Sequence, residues 1–386
     1  MSTEKLFSPL RVGPFELQHR VVLAPLTRYK GDAEHVPYLP LVKDYYTQRG
    51  SAPGTLLITE GTFIAGRAGG YAHVPGIWSK AQIENWKEVT ASVHAKGSVI
   101  FMQLWALGRG ATHSQLLSED PSYPYVSASD VPFSYSKDTP PRPLTIEEIK
   151  EYVELYAQAA RNAIEAGFDG VEVHSANGYL PDQFLQDITN KRTDSYGGSI
   201  ENRSRFVLEI VDAVVKAVGA ERTAIRFSPW GHFNEMGMDD PVPQFSHTIS
   251  ALASAYQNPP LAYLHIVEPR VQGNVTREPS DVGTTESNAE FRKLWRGPGR
   301  VTLLAGAFTK EIALKTLAGE QTEGGETLGI VFGRLFISNP DLPRRLKEDI
   351  PLRAYDRTTF YLIGENSPRG YTDQPFADKD GLTCTS

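Results

Sequence analysis

Eight short apolar segments, rich in β-branched residues, recur along the chain at intervals long enough for a loop and a helix. With the residue on which each ends, they are RVVLAPL (Leu26), TLLITEG (Gly61), SVIFMQL (Leu104), GVEVHS (Ser175), AIRFSP (Pro229), YLHIVEP (Pro269), VTLLAGA (Ala307) and GIVFGRL (Leu335). Near-continuous apolar runs are typical of parallel strands buried on both faces. Helical periodicity lies between them at residues 80–96, 145–166, 199–218 and 309–318. The pattern predicts an α/β protein with a closed (β/α)8 TIM barrel, and an open doubly wound sheet is the alternative.

The segments that connect these elements differ in length. LRVGPFELQ, with Gly13-Pro14 between two short extended runs, predicts an N-terminal β-hairpin that closes one end of the barrel. Two long irregular stretches, 108–143 and 270–288, follow the third and sixth strands, at the end where barrel active sites form, and we expect them to shape a substrate site. Because no Gly-, Ser- or Pro-rich linker divides the chain, we expect residues 1–386 to form a single domain.

Composition and charge exclude several classes of protein. Hydrophobic residues make up 40% and charged residues 22%, which is enough apolar material for a large core. The net charge of −7 is not gathered into blocks, which argues against a nucleic-acid surface. The lone cysteine, Cys384, has no intrachain partner for a disulfide or a Cys-ligated cluster. With no signal-like start and no apolar run near the ~20 residues that cross a bilayer, we expect a cytoplasmic protein without a membrane segment.

A barrel enzyme carries its catalytic groups at the C-terminal ends of its strands. The sequence places these residues there: Pro25, Leu26, Thr27, Glu60, Gly61, Thr62, Gln103, Trp105, His174, Asn177, Tyr179, Arg226, Glu268, Gly306, Gly333 and Arg334. None of these residues is a lysine, so a Schiff-base aldolase is disfavoured, and the absence of GxSxG disfavours a serine hydrolase. HExxH is also absent, and we expect no metal site. The absence of GxGxxG disfavours a Rossmann-bound dinucleotide. Gly306, Gly333 and Arg334 follow the last two strands, where barrels commonly bind phosphate.

One long segment carries a specific resemblance. GVEVHSANGYLPDQFLQDITNKRTDSYGGSIENRSRF contains HxxNxY and then N-x-R-T-D-x-Y-G-G-S-x-E-N-R, and it resembles the Old Yellow Enzyme family of FMN-dependent ene-reductases. Similarity to the fungal and plant branch extends along nearly all of the chain, through APLTR, GGYAHVPGIWS, QLWALGR, RFSPWG, HIVEPR and FGRLFISNPDLPRRL. Longer members of the family carry a Cys-bound iron–sulfur cluster, which a chain with one cysteine cannot hold.

The resemblance implies a non-covalently bound FMN across the barrel mouth. The residues implied to hold it are Pro25, Leu26, Thr27, Gly61, Gln103, His174 and Arg226 around the ring, with Gly306, Ala307, Gly333 and Arg334 at the phosphate. The Thr27 hydroxyl would tune the reduction potential by bonding the flavin O4. Gln103 would bond the pyrimidine edge, and Arg226 would face N1 and O2, where a cation offsets the charge of the reduced flavin.

The resemblance also implies catalytic roles for His174, Asn177 and Tyr179. His174 and Asn177 would donate to the carbonyl oxygen of an α,β-unsaturated substrate, and Tyr179 would protonate the α-carbon after hydride transfer from the flavin N5 to the β-carbon. Trp105 and Thr27 would line the substrate pocket. NADPH is the implied electron donor in a ping-pong reaction. The implied partners are activated alkenes, that is, α,β-unsaturated carbonyl or nitro compounds. The chain would act as a monomer or homodimer.

Alternatives remain open from the sequence alone. A lone histidine such as His174 is more often a hydrogen-bonded core residue, and Tyr179 could merely pack at a helix start. Glu172 shares the strand face of His174, so we expect it to point into the barrel and pair with a buried cation. Other possible functions are a barrel glycoside hydrolase using Glu60, Glu172 or Glu268, a non-catalytic flavin-binding protein, and a specialised alkaloid-pathway aldehyde reductase of the same family.

Overall fold

The computed structural model describes residues 3–319 and 327–378, so Cys384 lies outside the described residues. Eight parallel strands form its centre. They are β1 Val21–Leu23, β2 Leu56–Ile58, β3 Val99–Trp105, β4 Gly170–Ser175, β5 Thr223–Phe227, β6 Tyr263–Val267, β7 Val301–Ala305 and β8 Thr327–Phe332. Each strand pairs with the next in chain order, and β8 pairs with β1, so the sheet closes on itself. The predicted closed barrel is confirmed, and the open doubly wound sheet is wrong.

Helices surround the barrel, and at least one follows each strand. They are α1 Leu41–Arg49, α2 Lys80–His94, α3 Ile146–Glu165, α4 Ile200–Val218, α5 Val242–Ala255, α6 Ala289–Trp295, α7 Lys310–Gly319 and α8 Leu342–Glu348, with shorter helices at His113–Glu119, Leu180–Leu185 and Arg334–Ser338. The four helices predicted from periodicity are α2, α3, α4 and α7, with ends within two residues of the predicted ones. Among the described helices, none is long and apolar enough to cross a membrane.

Capping residues explain where two of these helices begin. The Thr145 hydroxyl accepts a hydrogen bond from the backbone N–H of Glu148, and the Glu148 side chain accepts one from the backbone of Thr145. Ser79 and Gln82 form the same reciprocal pair at the start of α2. Such capping boxes satisfy N–H groups that the first helical turn leaves without partners, so they define the helix start.

The strands read as continuous apolar runs because both of their faces are buried. Along β1, Val22 points into the barrel interior, whereas Val21 and Leu23 pack against the surrounding helices. Leu56 and Leu57 of β2 divide in the same way. Alternate residues of a strand face opposite sides, so the barrel has one core inside and another between strands and helices.

The N-terminal hairpin pairs Leu10–Val12 with Phe15–Leu17 in antiparallel register, as predicted. Gly13 occupies the turn with φ 53°, a left-handed conformation that glycine adopts at little cost. Leu10 and Leu17 are buried in the same cluster as the interior residues of the barrel. The Phe15 ring packs edge-on against Phe101 near the start of β3, with ring centroids 6.3 Å apart. The hairpin therefore closes the N-terminal end of the barrel.

The two long connections have different surroundings. Residues 270–288 contain an antiparallel hairpin, Val271–Gln272 with Val275–Thr276, whose residues reach the cavity described below. Residues 108–143 contain the helix His113–Glu119 and pack through Arg109 against the loop that follows β5, where the Arg109 guanidinium donates to backbone carbonyls. Of the two connections, only residues 270–288 contribute to the cavity wall within the described residues.

Candidate active site

A cavity of about 410 Å³ opens at the C-terminal ends of the strands, a volume typical of small-molecule and cofactor sites. Its wall contains nearly all the residues proposed from the sequence: Pro25, Leu26, Thr27, Gln103, Trp105, His174, Asn177, Tyr179, Arg226, Gly306, Ala307, Gly333 and Arg334. Gly61 lies behind the wall, where a Cβ atom would come within 2.5 Å of Trp105 Cε3. Glycine is required at this position because the indole of Trp105 occupies the adjacent space.

The floor of the cavity presents a buried cation and an amide oxygen. No described residue accepts a hydrogen bond from the guanidinium of Arg226, and its Nε is buried without a partner. Gln103 donates from Nε2 to Glu172 Oε1 at 2.7 Å, which leaves the Gln103 Oε1 free to accept. A buried cation without a hydrogen-bonded partner is costly unless a ligand completes its environment. The pyrimidine edge of a flavin, with its N–H donor and its electron-rich N1 and O2, fits this pair of groups.

The rim at the ends of β7 and β8 suits an anion. Gly306 and Ala307 have consecutive positive φ values of 135° and 47°, and their backbone N–H groups donate to no other described residue. Only glycine fits at 306, because a Cβ there would lie 2.9 Å from the Cβ of Glu268. Arg334 lines the same rim and donates one hydrogen bond from Nη2 to Thr276 Oγ1. Free backbone N–H groups beside a guanidinium form an anion-binding concavity that fits a phosphate.

His174, Asn177 and Tyr179 converge on one side of the cavity. His174 lies near the C-terminal end of β4. Asn177 follows in a tight turn with φ 57°, and its backbone N–H donates a 2.7 Å hydrogen bond to Ser228 Oγ. The Tyr179 ring packs edge-on against Trp105 and His174, with ring centroids 4.7 and 5.0 Å away. The strand end and the turn therefore place an imidazole, an amide and a phenol at one surface.

Burial determines the protonation states of His174 and Tyr179. Burial, with the positive charge of Arg226, holds the pKa of His174 well below its ordinary 6.5, so the imidazole is neutral. Its Nδ1 is buried without a partner. Burial also raises the pKa of Tyr179 well above 10, so the phenol is protonated at neutral pH. The site thus offers neutral hydrogen-bond donors and one protonated acid.

Asn234, in the loop after β5, supports these three residues and was not predicted from the sequence. Its Nδ2 donates to the Asn177 carbonyl oxygen at 2.9 Å, and its side chain lies beside the Tyr179 phenol. Asn234 has φ 58°, and its own carbonyl accepts a 2.7 Å hydrogen bond from Arg109 Nη2. Phe233 beside it lines the cavity. The asparagine is compatible with the left-handed conformation, but no local pattern in the sequence connects it to residue 179.

The C-terminal segment forms another part of the wall that the sequence did not assign. Tyr355, Phe360 and Tyr361 line the cavity, and the Tyr361 hydroxyl accepts a 3.1 Å hydrogen bond from Asn274 Nδ2 of the hairpin after β6. Arg28, only 1% exposed, donates from Nε to the Phe360 carbonyl at 3.0 Å and also to the Gly370 carbonyl. Lys30 holds the same segment by donating to the Glu365 carbonyl. Buried cations at the end of β1 therefore fix the C-terminal part of the wall.

The carboxylates considered for glycoside hydrolysis do not face the cavity. Glu60, Glu172 and Glu268 are absent from its wall, and burial raises the pKa of Glu60 to about 7. Glu172 points into the barrel as expected, where His265 Nδ1 lies 2.8 Å from its Oε2. Without a pair of carboxylates at the surface, the geometry excludes a two-carboxylate hydrolase. In the described part of the chain, no group of three or more His, Cys, Asp or Glu side chains could hold a metal ion.

Comparison with known proteins agrees with this geometry. Residues 5–353 match the model of the NADH:flavin oxidoreductase / NADH oxidase family. The chain is 50% identical over 378 residues to the NADP-dependent oxidoreductase lnbE of Aspergillus flavus, covering 97% of both chains. It is 51% identical over 373 residues to the chanoclavine-I aldehyde reductase fgaOx3 of Penicillium roqueforti, covering 97% of this chain and 96% of that one.

A solved structure supports the same assignment. The Old Yellow Enzyme from Pichia sp. AKU4542 superposes with a TM-score of 0.84 at 39% identity, covering 95% of this chain and 92% of that one. The resemblance noted in the sequence is therefore confirmed over nearly the whole chain. With its family match, its barrel and a cavity that fits FMN, the protein belongs to the NADH:flavin oxidoreductase / NADH oxidase family of the Old Yellow Enzymes and is a flavin-dependent oxidoreductase.

Proposed function

We propose that the protein is an NADPH-dependent ene-reductase, which reduces the activated C=C bond of α,β-unsaturated carbonyl or nitro compounds, with residues 1–386 acting as one FMN-binding domain. The observation that carries this proposal is the convergence of His174, Asn177 and Tyr179 on one side of a cavity whose floor holds Arg226 and Gln103. A neutral donor pair beside a protonated phenol matches the needs of conjugate reduction, which builds negative charge on an oxygen and then requires a proton at carbon.

FMN fits this cavity through groups that lack other partners. Arg226 and the Gln103 Oε1 would hold the pyrimidine edge, Thr27 would donate to the ring, and the rim formed by Gly306 and Arg334 would bind the phosphate. Bound FMN supplies hydride transfer, from NADPH onto the flavin and from its N5 to the β-carbon of the substrate.

His174 and Asn177 would bind and polarise the substrate. A neutral imidazole carries one N–H, and the Asn177 amide carries two, so both can donate to one carbonyl or nitro oxygen. The two hydrogen bonds strengthen as negative charge develops on that oxygen, which makes the β-carbon electrophilic. Because burial keeps His174 neutral, it polarises the oxygen without transferring its proton.

Tyr179 would then deliver the proton to the α-carbon. It is 8% exposed, it lines the cavity, and its raised pKa keeps the hydroxyl protonated. A weak phenol acid is sufficient because the carbon that it protonates is strongly basic. The Asn234 side chain beside the phenol would stabilise the phenolate that remains, because it favours the ionised form of Tyr179.

We propose that conjugated aldehydes with an extended apolar body are among the substrates. The name of fgaOx3, a chanoclavine-I aldehyde reductase, supports this choice. So does the cavity wall near the mouth, where Trp105, Phe233, Phe360 and Tyr361 supply aromatic surface. An aldehyde oxygen needs only the His174 and Asn177 donors, and the aromatic wall would contact the apolar remainder of the molecule.

A spectroscopic assay with product identification tests the proposal. Protein reconstituted with FMN should be yellow, should bleach when NADPH is added, and should recover its colour with an unsaturated aldehyde but not with the saturated one. The product should be the saturated aldehyde. Failure to bind FMN, or reduction of the carbonyl to an alcohol with the C=C bond intact, would refute the proposal.

A further inference from the structure

One buried carboxylate has a position that the catalytic scheme does not use. Glu172 of β4 is 0% exposed and lies below the cavity floor, since Gln103 and Arg226 line the cavity and Glu172 does not. Its Oε1 accepts a 2.7 Å hydrogen bond from Gln103 Nε2, and its Oε2 lies 2.8 Å from His265 Nδ1. The carboxylate therefore contacts one of the two floor residues directly.

The register of the strands explains this arrangement. Gln103 of β3 is paired with Glu172 of β4, and Arg226 of β5 is paired with both His174 of β4 and His265 of β6. Glu172 precedes His174 by two residues, so it faces the same interior one layer deeper. These strand pairs place the carboxylate directly beneath the cavity floor and the imidazole of His174.

Glu172 carries a negative charge in this setting. Burial alone would raise its pKa, but His265, Arg226 and the Gln103 hydrogen bond together hold the pKa of Glu172 below its ordinary value. Burial lowers the pKa of His265, so that ring is neutral, and its Nδ1 faces the Glu172 carboxylate. The balancing cation is Arg226, whose electrostatic interaction with Glu172 favours the charged guanidinium.

We propose that Glu172 is a positioning residue for the cofactor: its carboxylate anchors the Gln103 amide with Oε1 toward the cavity, and its charge offsets part of the field of Arg226. This inference rests on the proposed function, because it requires FMN in the cavity. Anchoring matters since an amide can present either its oxygen or its NH₂ to a ligand, and a fixed orientation selects a ligand with a donor at that point. The charge matters since Arg226 favours the negatively charged reduced flavin, and Glu172 limits that preference.

The reduction potential of bound FMN tests the role of the charge. In Glu172→Gln the charge of Arg226 is no longer offset, so the equilibrium for two-electron reduction should shift toward the reduced form by about tenfold or more, which is ~30 mV. The matched control is Asp341→Asn, which removes a buried carboxylate paired with Arg345 outside the cavity wall and should leave the potential unchanged. A merely structural Glu172 would affect stability or FMN affinity but would not move the potential in this direction.

FMN affinity tests the role of the anchored amide. Titration of apoprotein with FMN, followed by flavin fluorescence, should show that Glu172→Gln weakens binding by about tenfold in the wild-type background but by less than about twofold in Gln103→Ala. Glu172→Asp is the second variant if Glu172→Gln does not fold, and circular dichroism checks both. The aspartate keeps the charge but shortens the reach to Gln103, so affinity should fall while the potential stays within about 10 mV of wild type.

The outcomes separate this inference from the function on which it rests. If the wild-type protein binds no FMN, the proposed function fails. If the wild-type protein binds FMN but Glu172→Gln leaves the potential unchanged, or lowers affinity equally with and without Gln103, only the role of Glu172 is refuted. An aspartate variant with wild-type affinity would also refute it.

Discussion

Replacing Tyr179 by phenylalanine would separate the two halves of the proposed reaction. The ring should keep its place, because its edge-on packing against Trp105 and His174 does not need the hydroxyl. The substitution removes the polar hydroxyl beside Asn234, and such a loss changes the free energy of unfolding by about 1 kcal/mol. The fold and FMN binding should therefore survive, while the proton donor is removed.

The expected effect on the chemistry is much larger than that on stability. A positioned general acid contributes about 10²- to 10⁴-fold, so reoxidation of the reduced enzyme by an enal should slow by that factor, or about 3 to 5 kcal/mol in the barrier. Reduction by NADPH requires no proton from Tyr179 and should stay within about twofold of wild type. Because burial raises the pKa of Tyr179 well above 10, the acid stays protonated from about pH 6 to pH 9, and the wild-type reoxidation rate should not fall across that range.

Stopped-flow absorbance measures both half-reactions on the same protein. Tyr71→Phe is the matched control, since Tyr71 is a half-buried phenol near Trp105, with ring centroids 5.9 Å apart, but it does not line the cavity. It should leave both rates within about threefold of wild type. Equal slowing of both half-reactions by Tyr179→Phe, or slowing of reoxidation by Tyr71→Phe instead, would refute the assignment of Tyr179 as the acid.

Three further changes test the site and the fold. Gly61→Ala places a Cβ 2.5 Å from Trp105 Cε3 and should push the indole into the cavity, so that a phenolic ligand titrated against flavin absorbance binds about tenfold more weakly; unchanged binding would contradict this. Burial lowers the pKa of His19 to about 4, so between pH 6.5 and pH 4 only the unfolded chain binds a proton at this histidine. About 3 kcal/mol of the free energy of unfolding, present above pH 6.5, should therefore be lost as the pH falls to 4. The free energy of unfolding of His19→Asn, measured with urea, should lose that part of its dependence on pH. The same pH dependence in the variant and the wild type would contradict this role of His19. Thr145→Ala removes the cap shared with Glu148 and should lower the free energy of unfolding by about 1 kcal/mol without changing turnover, whereas a loss of turnover would contradict a purely local role.

Much of the site could be predicted because it lies at strand ends. A barrel brings the C-terminal ends of all its strands to one rim, so finding the strands also finds the rim. His174 and Arg226 show this, since they are 52 positions apart in sequence but directly paired in adjacent strands. The position of Glu172 inside the barrel followed from the same two-residue periodicity.

The remaining parts of the site depend on contacts between distant segments that no local pattern announces. Arg28 donates to the carbonyl of Phe360, and a buried cation that binds backbone carbonyls looks in the sequence like any surface arginine. Asn234, which has a left-handed backbone, donates to the carbonyl of Asn177 in the turn after β4, although 57 positions separate the two residues in sequence. Such partners depend on the path of irregular loops, which hydrophobic periodicity does not specify.

Isotopic labelling of the product is the most direct test of hydride transfer to the β-carbon and proton transfer to the α-carbon. An α,β-unsaturated aldehyde should be reduced with NADPH that carries deuterium at the transferred position, and in a second reaction with unlabelled NADPH in D₂O, with the products read by NMR. The proposed mechanism predicts deuterium on the β-carbon in the first reaction and on the α-carbon in the second, added on opposite faces. Deuterium on the carbonyl carbon would contradict it, because it would show reduction of the aldehyde group without use of the Tyr179 proton at carbon.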